Sequence, residues 1–126
     1  MGRTLAEKIL LAHAEADDLA PGDVVMVRVD CVLTNDISGP VAFRTMREMG
    51  VERVFDPARV VLVPDHFVPA KDERSAILMR RLQDWAEEQG VVFYGQGRGG
   101  IEHAVLVEDG WAVPGAVIAG GDSHTC

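Results

Sequence analysis

Only two cysteines occur in the 126 residues, Cys31 and Cys126, and they stand far apart with no C-x-x-C partner. That is too few for a disulfide framework, so the expected setting is a reducing cytoplasm. Basic residues are scarce as well: 12 Lys and Arg against 20 Asp and Glu give a formal charge of −8, with acidic and basic residues interspersed. This balance argues against an electrostatic surface for nucleic acid, and no DNA or RNA partner is expected. No apolar run approaches the length of a membrane span, so no membrane partner is expected either. The opening MGRTLAEKIL lacks the apolar core and cleavage site of a signal peptide, and Ala6 spoils its fit to a myristoylation signal. Repeats, low-complexity stretches and internal linkers are absent too. What is present is 48% hydrophobic and 25% charged residues, enough for one domain over 1–126 with one core and too short for two.

Hydrophobic periodicity divides the chain into alternating elements. Thr4 and Glu7 form a capping box ahead of Leu5, Ile9 and Ala12, which predicts a helix over about 5–15 that APGD ends. The β-branched run VVMVRVD at 24–30 predicts a buried strand. Pro40 and Gly50 bracket a second helix at 40–49, followed by a strand in VVLVPDH at 60–66. A longer helix is expected over about 72–89, with Ile77, Leu78, Leu82 and Trp85 on one face and Gly90 at its end. VVFY predicts a third strand, AVLVEDG at 104–110 a short fourth, and GAVIAGGD at 115–122 a fifth. Apolar strands alternating with helices predict an α/β fold with a largely parallel sheet.

In open α/β sheets ligands gather beyond the carboxyl ends of the strands. Two Asp–His groupings fall at such ends, Asp65–His66 and Asp122–Ser123–His124, and His103 follows a glycine-rich turn. His13, inside the first predicted helix, reads as ordinary surface. A carboxylate beside an imidazole orients it and stabilises its charged form, which makes the histidine a dependable proton donor. A solvated turn is the plainer explanation of any single pair, but the recurrence at two strand ends favours a site.

Two other readings compete. GQGRGG, with Gly95, Gly97 and Gly100, matches the dinucleotide pattern G-x-G-x-x-G, yet that fingerprint needs a helix starting inside the motif, and IEHAVLVEDG reads as strand. The glycines are expected to permit close backbone approach near His103. His66, His103, His124, Asp65 and Asp122 are also residue types that bind zinc or iron, although their spacing is not H-x-x-x-H-like and proton transfer fits as well as ligation. Cys31 is expected to be a packed small residue.

The ordered set MGRTLAEKIL, VRVDCVLTNDISGP, LVPDHFVPAKD, GRGGIEHAVLVEDG and GGDSHT resembles the aconitase superfamily over the whole 126 residues, most closely the start of the large subunit of 3-isopropylmalate dehydratase or homoaconitase. The resemblance implies a three-layer α/β/α fold with a mainly parallel sheet, an N-terminal portion of the aconitase-type iron–sulfur domain. It implies a hydro-lyase that moves a hydroxyl between adjacent carbons of a hydroxy di- or tricarboxylic acid. The implied cofactor is a [4Fe–4S] cluster whose cysteine ligands lie in sequence this chain does not contain, so Cys126 is not expected to be one and no metal ligand is assigned here. A separate small swivel-domain subunit is the implied partner, carrying the catalytic base.

Residue by residue, the resemblance implies that Asp65 and His66 protonate the leaving hydroxyl and that His103 partners Asp122. Ser123 would hold a substrate carboxylate, and His124 would hydrogen-bond the reacting hydroxyl or water. Asn35, in LTND, would bind a carboxylate. The favoured substrates are 2- and 3-isopropylmalate, interconverted in leucine biosynthesis, with homoaconitase or a dimethylmalate or methylcitrate-type dehydratase as alternatives. A truncated binding or assembly module without catalysis, or a small metal-dependent hydrolase, are readings from other classes. The chain is expected to be a truncated segment that is inactive in isolation.

Overall fold

The computed structural model describes residues 2–125. In chain order the elements are α1 (Leu5–His13), β1 (Cys31–Thr34), α2 (Ser38–Glu48), β2 (Val60–Leu62), α3 (Glu73–Gln89), β3 (Val92–Phe93), α4 (Glu102–Glu108) and β4 (Ile118–Gly120), with a 3-10 turn at Pro57–Arg59 before β2. The four strands form one parallel sheet in the order β3-β2-β1-β4. Every strand that pairs does so through a helical crossover, as parallel neighbours require.

Apolar residues of the strands feed two cores, one on each face. Val60 and Leu62 face α3 through Leu82, Trp85 and Ala86, with Phe43 and Met46 of α2 packed alongside. Phe43 stacks on Trp85 with ring centroids 3.4 Å apart. On the opposite face Cys31, Leu33, Val61 and Val63 pack against Val105 and Leu106 of α4 and against Tyr94. This is the expected three-layer arrangement, and Cys31, 3% exposed, is the packed residue anticipated. Gly90 takes φ 73° to end α3, a left-handed conformation that glycine adopts without a Cβ clash.

The structure departs from sequence expectation in four places. Residues 24–30 do not form a strand: a single antiparallel bridge joins Ala14 to Val27, and Val24 and Met26 are 100% and 81% exposed. β-Propensity alone makes no ladder, and the parallel partner β4 is in register only from Cys31 onward, opposite Ile118. The second is α2, which starts at Ser38, because the Asn35 side chain accepts from the backbone N–H of Ile37 and Ser38 at 2.9 and 2.8 Å and satisfies its first turn. Pro40 still falls where its missing N–H is harmless.

Third, 104–110 is not a strand; the helix α4 occupies Glu102–Glu108 instead. Glu102, Val105 and Leu106 are its buried residues, a helical spacing that the apolar run AVLV hides. Fourth, His13 is not ordinary surface: its Nε2 lies 2.7 Å from Asp30 Oδ2, and the same carboxylate oxygen accepts the Val117 N–H at 2.9 Å. That contact ties α1 to the approach of β4.

Leu82, 1% exposed, joins α3 to the sheet. Leu82→Ala is expected to cost about 2–5 kcal/mol through lost burial and the cavity left behind. Urea unfolding of the full-length protein checks this; a change below about 0.5 kcal/mol, the range of surface substitutions, would remove Leu82 as the link between α3 and the sheet.

Candidate functional site

Because β2, β1 and β4 are adjacent and parallel, their carboxyl ends open on one edge of the sheet. Asn35 and Asp36 follow β1, Asp65 and His66 lie beyond β2, and Asp122 follows β4. The head of α4 joins them there, since Asp65 Oδ2 accepts the Glu102 N–H at 2.8 Å. A carboxylate 37 residues upstream thus caps a helix whose own N-cap residue, Ile101, has no side-chain hydrogen bond to offer.

Asp36 is 1% exposed and accepts from three successive backbone donors. Oδ1 takes the N–H of Asp65 at 3.4 Å and of His66 at 3.2 Å, and Oδ2 takes that of Phe67 at 2.7 Å. Consecutive N–H groups converging on one anion form a nest, which fixes the path of the chain after β2.

That path sets His66 among three carboxylates. Its Nδ1 lies 2.6 Å from Asp65 Oδ1 and 3.4 Å from Asp36 Oδ1, and its Nε2 lies 3.7 Å from Asp122 Oδ1. The Asp65 contact is close but off the hydrogen-bonding direction, so Oδ1 has no aligned partner among the described residues. Partial removal from water is the largest single influence on the imidazole and acts to lower its pKa. The charge and contact of Asp65, with the charges of Asp36 and Asp122, together outweigh it, and the net shift is upward.

Asp122 Oδ2 accepts the His124 N–H at 2.6 Å and lies 3.2 Å from His124 Nδ1. The backbone bond foremost, against desolvation, holds its carboxyl below the usual range. Asn35, 1% exposed, is a buried bracket: its carbonyl serves the N-terminus of α2, and its Nδ2 donates to Glu102 Oε1 at 3.0 Å and reaches Asp122 Oδ1 at 3.5 Å. Glu102 is likewise 1% exposed, and its Oε2 has no partner among the described residues. Burial chiefly drives its pKa up; the Asn35 bond opposes this and the charges of Asp65 and Asp122 add to it.

Of the residues singled out in the sequence, Asn35, Asp65, His66, His103 and Asp122 converge. His103, half-buried, has Nδ1 3.9 Å from Glu102 Oε1 and Nε2 3.5 Å from Thr125 Oγ1; it makes no hydrogen bond to Asp122 here. Ser123 and His124 sit at the exposed rim, with Ser123 Oγ 3.2 Å from His124 Nδ1. Sequence reasoning passed over Asp36 and Glu102, although both stand beside chosen residues in LTND and GIEH. Cys126 lies outside the described residues. Contrary to the strand expected after GQGRGG, a helix does follow; it begins two residues beyond Gly100, and the Asp65 carboxylate occupies its first N–H, the place a dinucleotide phosphate would take.

Two groups, Asp36–Asp65–His66 and Glu102–His103–Asp122, are compact enough to suit a cation. Most of their donor atoms are already engaged in protein hydrogen bonds, the mark of a proton network and not of an open ligand set. An iron–sulfur cluster needs cysteine thiolates. Cys31, the one cysteine among the described residues, is in the core, and burial foremost, with the Asp30 charge, pushes its thiol pKa up. No described residue therefore fits as a cluster ligand. Among the described residues no helix is long and apolar enough to cross a membrane.

The profile of the aconitase family (aconitate hydratase) matches residues 7–126. The chain is 69% identical to 3-isopropylmalate dehydratase large subunit 2 of Rubrobacter xylanophilus and 51% identical to the 3-isopropylmalate dehydratase large subunit of Moorella thermoacetica. It is 45% identical to 3-isopropylmalate dehydratase large subunit 1 of Pyrococcus furiosus. These matches cover 100%, 100% and 99% of the chain, which spans only 30% of the length of each relative.

If Asp36 is the anchor of the site, Asp36→Ala strands the N–H groups of residues 65–67. The expected cost is about 1–3 kcal/mol per buried donor left unsatisfied, with faster amide hydrogen exchange at His66 and Phe67 in the full-length protein. Exchange at wild-type rates would show that the turn holds itself.

Proposed function

We propose, from the premise that the chain belongs to the aconitase family, that it is the N-terminal segment of a larger α/β domain in a hydro-lyase large subunit that interconverts 2- and 3-isopropylmalate by dehydration and rehydration. The names of the similar proteins support this substrate over homoaconitate or methylated malates. The whole enzyme would hold a [4Fe–4S] cluster on cysteines outside this chain, work with a small swivel-domain subunit, and belong to cytoplasmic leucine biosynthesis.

The observation that carries the reading is His66 set among Asp36, Asp65 and Asp122 with its pKa raised. Dehydration breaks a C–O bond, and the hydroxyl leaves as water only if it gains a proton. Nδ1 faces the Asp65 and Asp36 carboxylates, while the 35% exposure of the side chain leaves the ring open to solvent. A histidine whose charged form is favoured by its surroundings is the donor such a step needs, and in the reverse direction the same ring takes the proton back.

The ion pairs within this cluster are all to histidine, with no Lys or Arg among them. A dicarboxylate brought to so acidic a rim needs cations from elsewhere in the enzyme, as would the base that removes the carbon-bound proton. Within this chain we assign Ser123 and His124, exposed at the rim, to a substrate carboxylate and the reacting hydroxyl; their exposure supports this. Behind them Asp122 holds the His124 N–H, and His103 lies nearby without a hydrogen bond to it.

His66→Gln in the full-length large subunit with its small subunit is expected to lower kcat by about 10²- to 10⁴-fold, the usual worth of a general acid, with little change in KM. In the wild type, activity that needs protonated His66 should fall on the alkaline side, at a pH above the ordinary imidazole value, because the shift is upward. Equal losses in kcat and substrate affinity, or a limb at the ordinary histidine value, would sink the proton-donor role. An isopropylmalate assay of the wild-type pair tests the substrate itself.

A further inference from the structure

The proton chemistry assigned to His66 does not use Glu102. This side chain is 1% exposed, at the first position of α4. The charged groups facing it are Asp65, Asp122 and His103, and no Lys or Arg pairs with it among the described residues. Its Oε1 accepts from Asn35 Nδ2 at 3.0 Å, the amide that also reaches Asp122 Oδ1 at 3.5 Å. Its Oε2 is buried without a partner among the described residues. An ionised carboxylate left in that position would face two others with an oxygen unsolvated, which is far more costly than a neutral carboxyl.

We propose that Glu102 is a positioning residue that works as an uncharged acid: it holds the Asn35 amide, which braces Asp122, and its neutrality keeps one negative charge away from a sheet edge that must admit a hydroxy di- or tricarboxylate. The purpose assigned here rests on the hydro-lyase reading; the neutrality rests on the geometry alone. Two neighbouring carboxyls then divide their states. Asp122, held by the His124 N–H, remains ionised, while Glu102, driven up foremost by burial, keeps its proton.

The sign for stability follows. A glutamate in the unfolded chain ionises near pH 4.3, so above that value the folded state binds the extra proton. The stability this group contributes is complete below the unfolded pKa and is lost as pH rises towards the folded one. Glu102→Gln cannot ionise in either state, so its stability relative to wild type should improve from mildly acid to neutral pH.

The test uses the full-length large subunit with its small subunit, as wild type, Glu102→Gln and Glu102→Ala. Wild type minus Glu102→Gln in the infrared should show the carbonyl stretch of a protonated carboxyl at neutral pH. The urea midpoint of Glu102→Gln should gain on wild type between mildly acid and neutral pH. Turnover of isopropylmalate should stay within about threefold in Glu102→Gln and drop about tenfold or more in Glu102→Ala, where the Asn35 donor is orphaned. Absence of the carbonyl band, or a Glu102→Gln as slow as Glu102→Ala, would overturn the proposal. Should Glu102→Gln not fold, the wild type's own infrared difference between neutral and alkaline pH decides, since a neutral buried carboxyl must lose that band on ionising. A wild type that turns over no hydroxy acid defeats the hydro-lyase reading and leaves the infrared and urea comparisons to judge Glu102.

Discussion

The geometry of the site depends on one buried carboxylate. Asp36 stands just beyond β1 and gathers the N–H groups of Asp65, His66 and Phe67, beyond β2, onto its two oxygens. Those three donors belong to a chain leaving the sheet, where the ladder no longer supplies acceptors, and burial makes an unmet donor expensive. Meeting them with a single anion fixes the turn and at the same time brings a negative charge to within 3.4 Å of His66 Nδ1. Scaffold and electrostatics are thus one interaction: the group that aims the imidazole also favours its cationic form.

From there the network passes across the sheet edge. Asp65 reaches forward to cap α4 through the Glu102 N–H, and Glu102 reaches back to Asn35, beside Asp36. Asn35 in turn starts α2 and touches Asp122 beyond β4. Three strand ends and two helix starts are therefore cross-linked by side chains that are also the candidate functional groups. The close fit at Gly121 shows how tightly β4 is drawn in, for a Cβ there would lie 2.7 Å from that of Ser38. Rigidity of this kind suits proton transfer, which depends on donor placement within a fraction of an ångström.

The α/β class, the capping box of α1 and the extent of α3 were legible in the sequence, because periodicity and local caps encode them, and the position of His66 and Asp122 beyond strand ends followed from the parallel sheet. What escaped was non-local. VVMVRVD has every local mark of a strand, but a ladder needs a neighbour in register, and β4 meets this part of the chain only from Cys31. AVLV looks like strand because four apolar residues in a row carry no period, and the cap that starts α4 comes from Asp65, far upstream. His13 looked like surface because its partner Asp30 is 17 residues away. Asp36 and Glu102 were hidden for a related reason: an acidic residue beside a more conspicuous Asn or His gives no local sign that it will be buried.

The same charge pattern bears on what the proposed hydro-lyase would need from outside this segment. The carboxyls Asp36, Asp65 and Asp122 shape the field at His66, and an ionised carboxyl repels any carboxylate brought to it. The ion-pair partners of His66 among the described residues are all acids. Under the hydro-lyase proposal, this segment would serve the protonation of a leaving hydroxyl, and discrimination between substrates would fall to groups outside it.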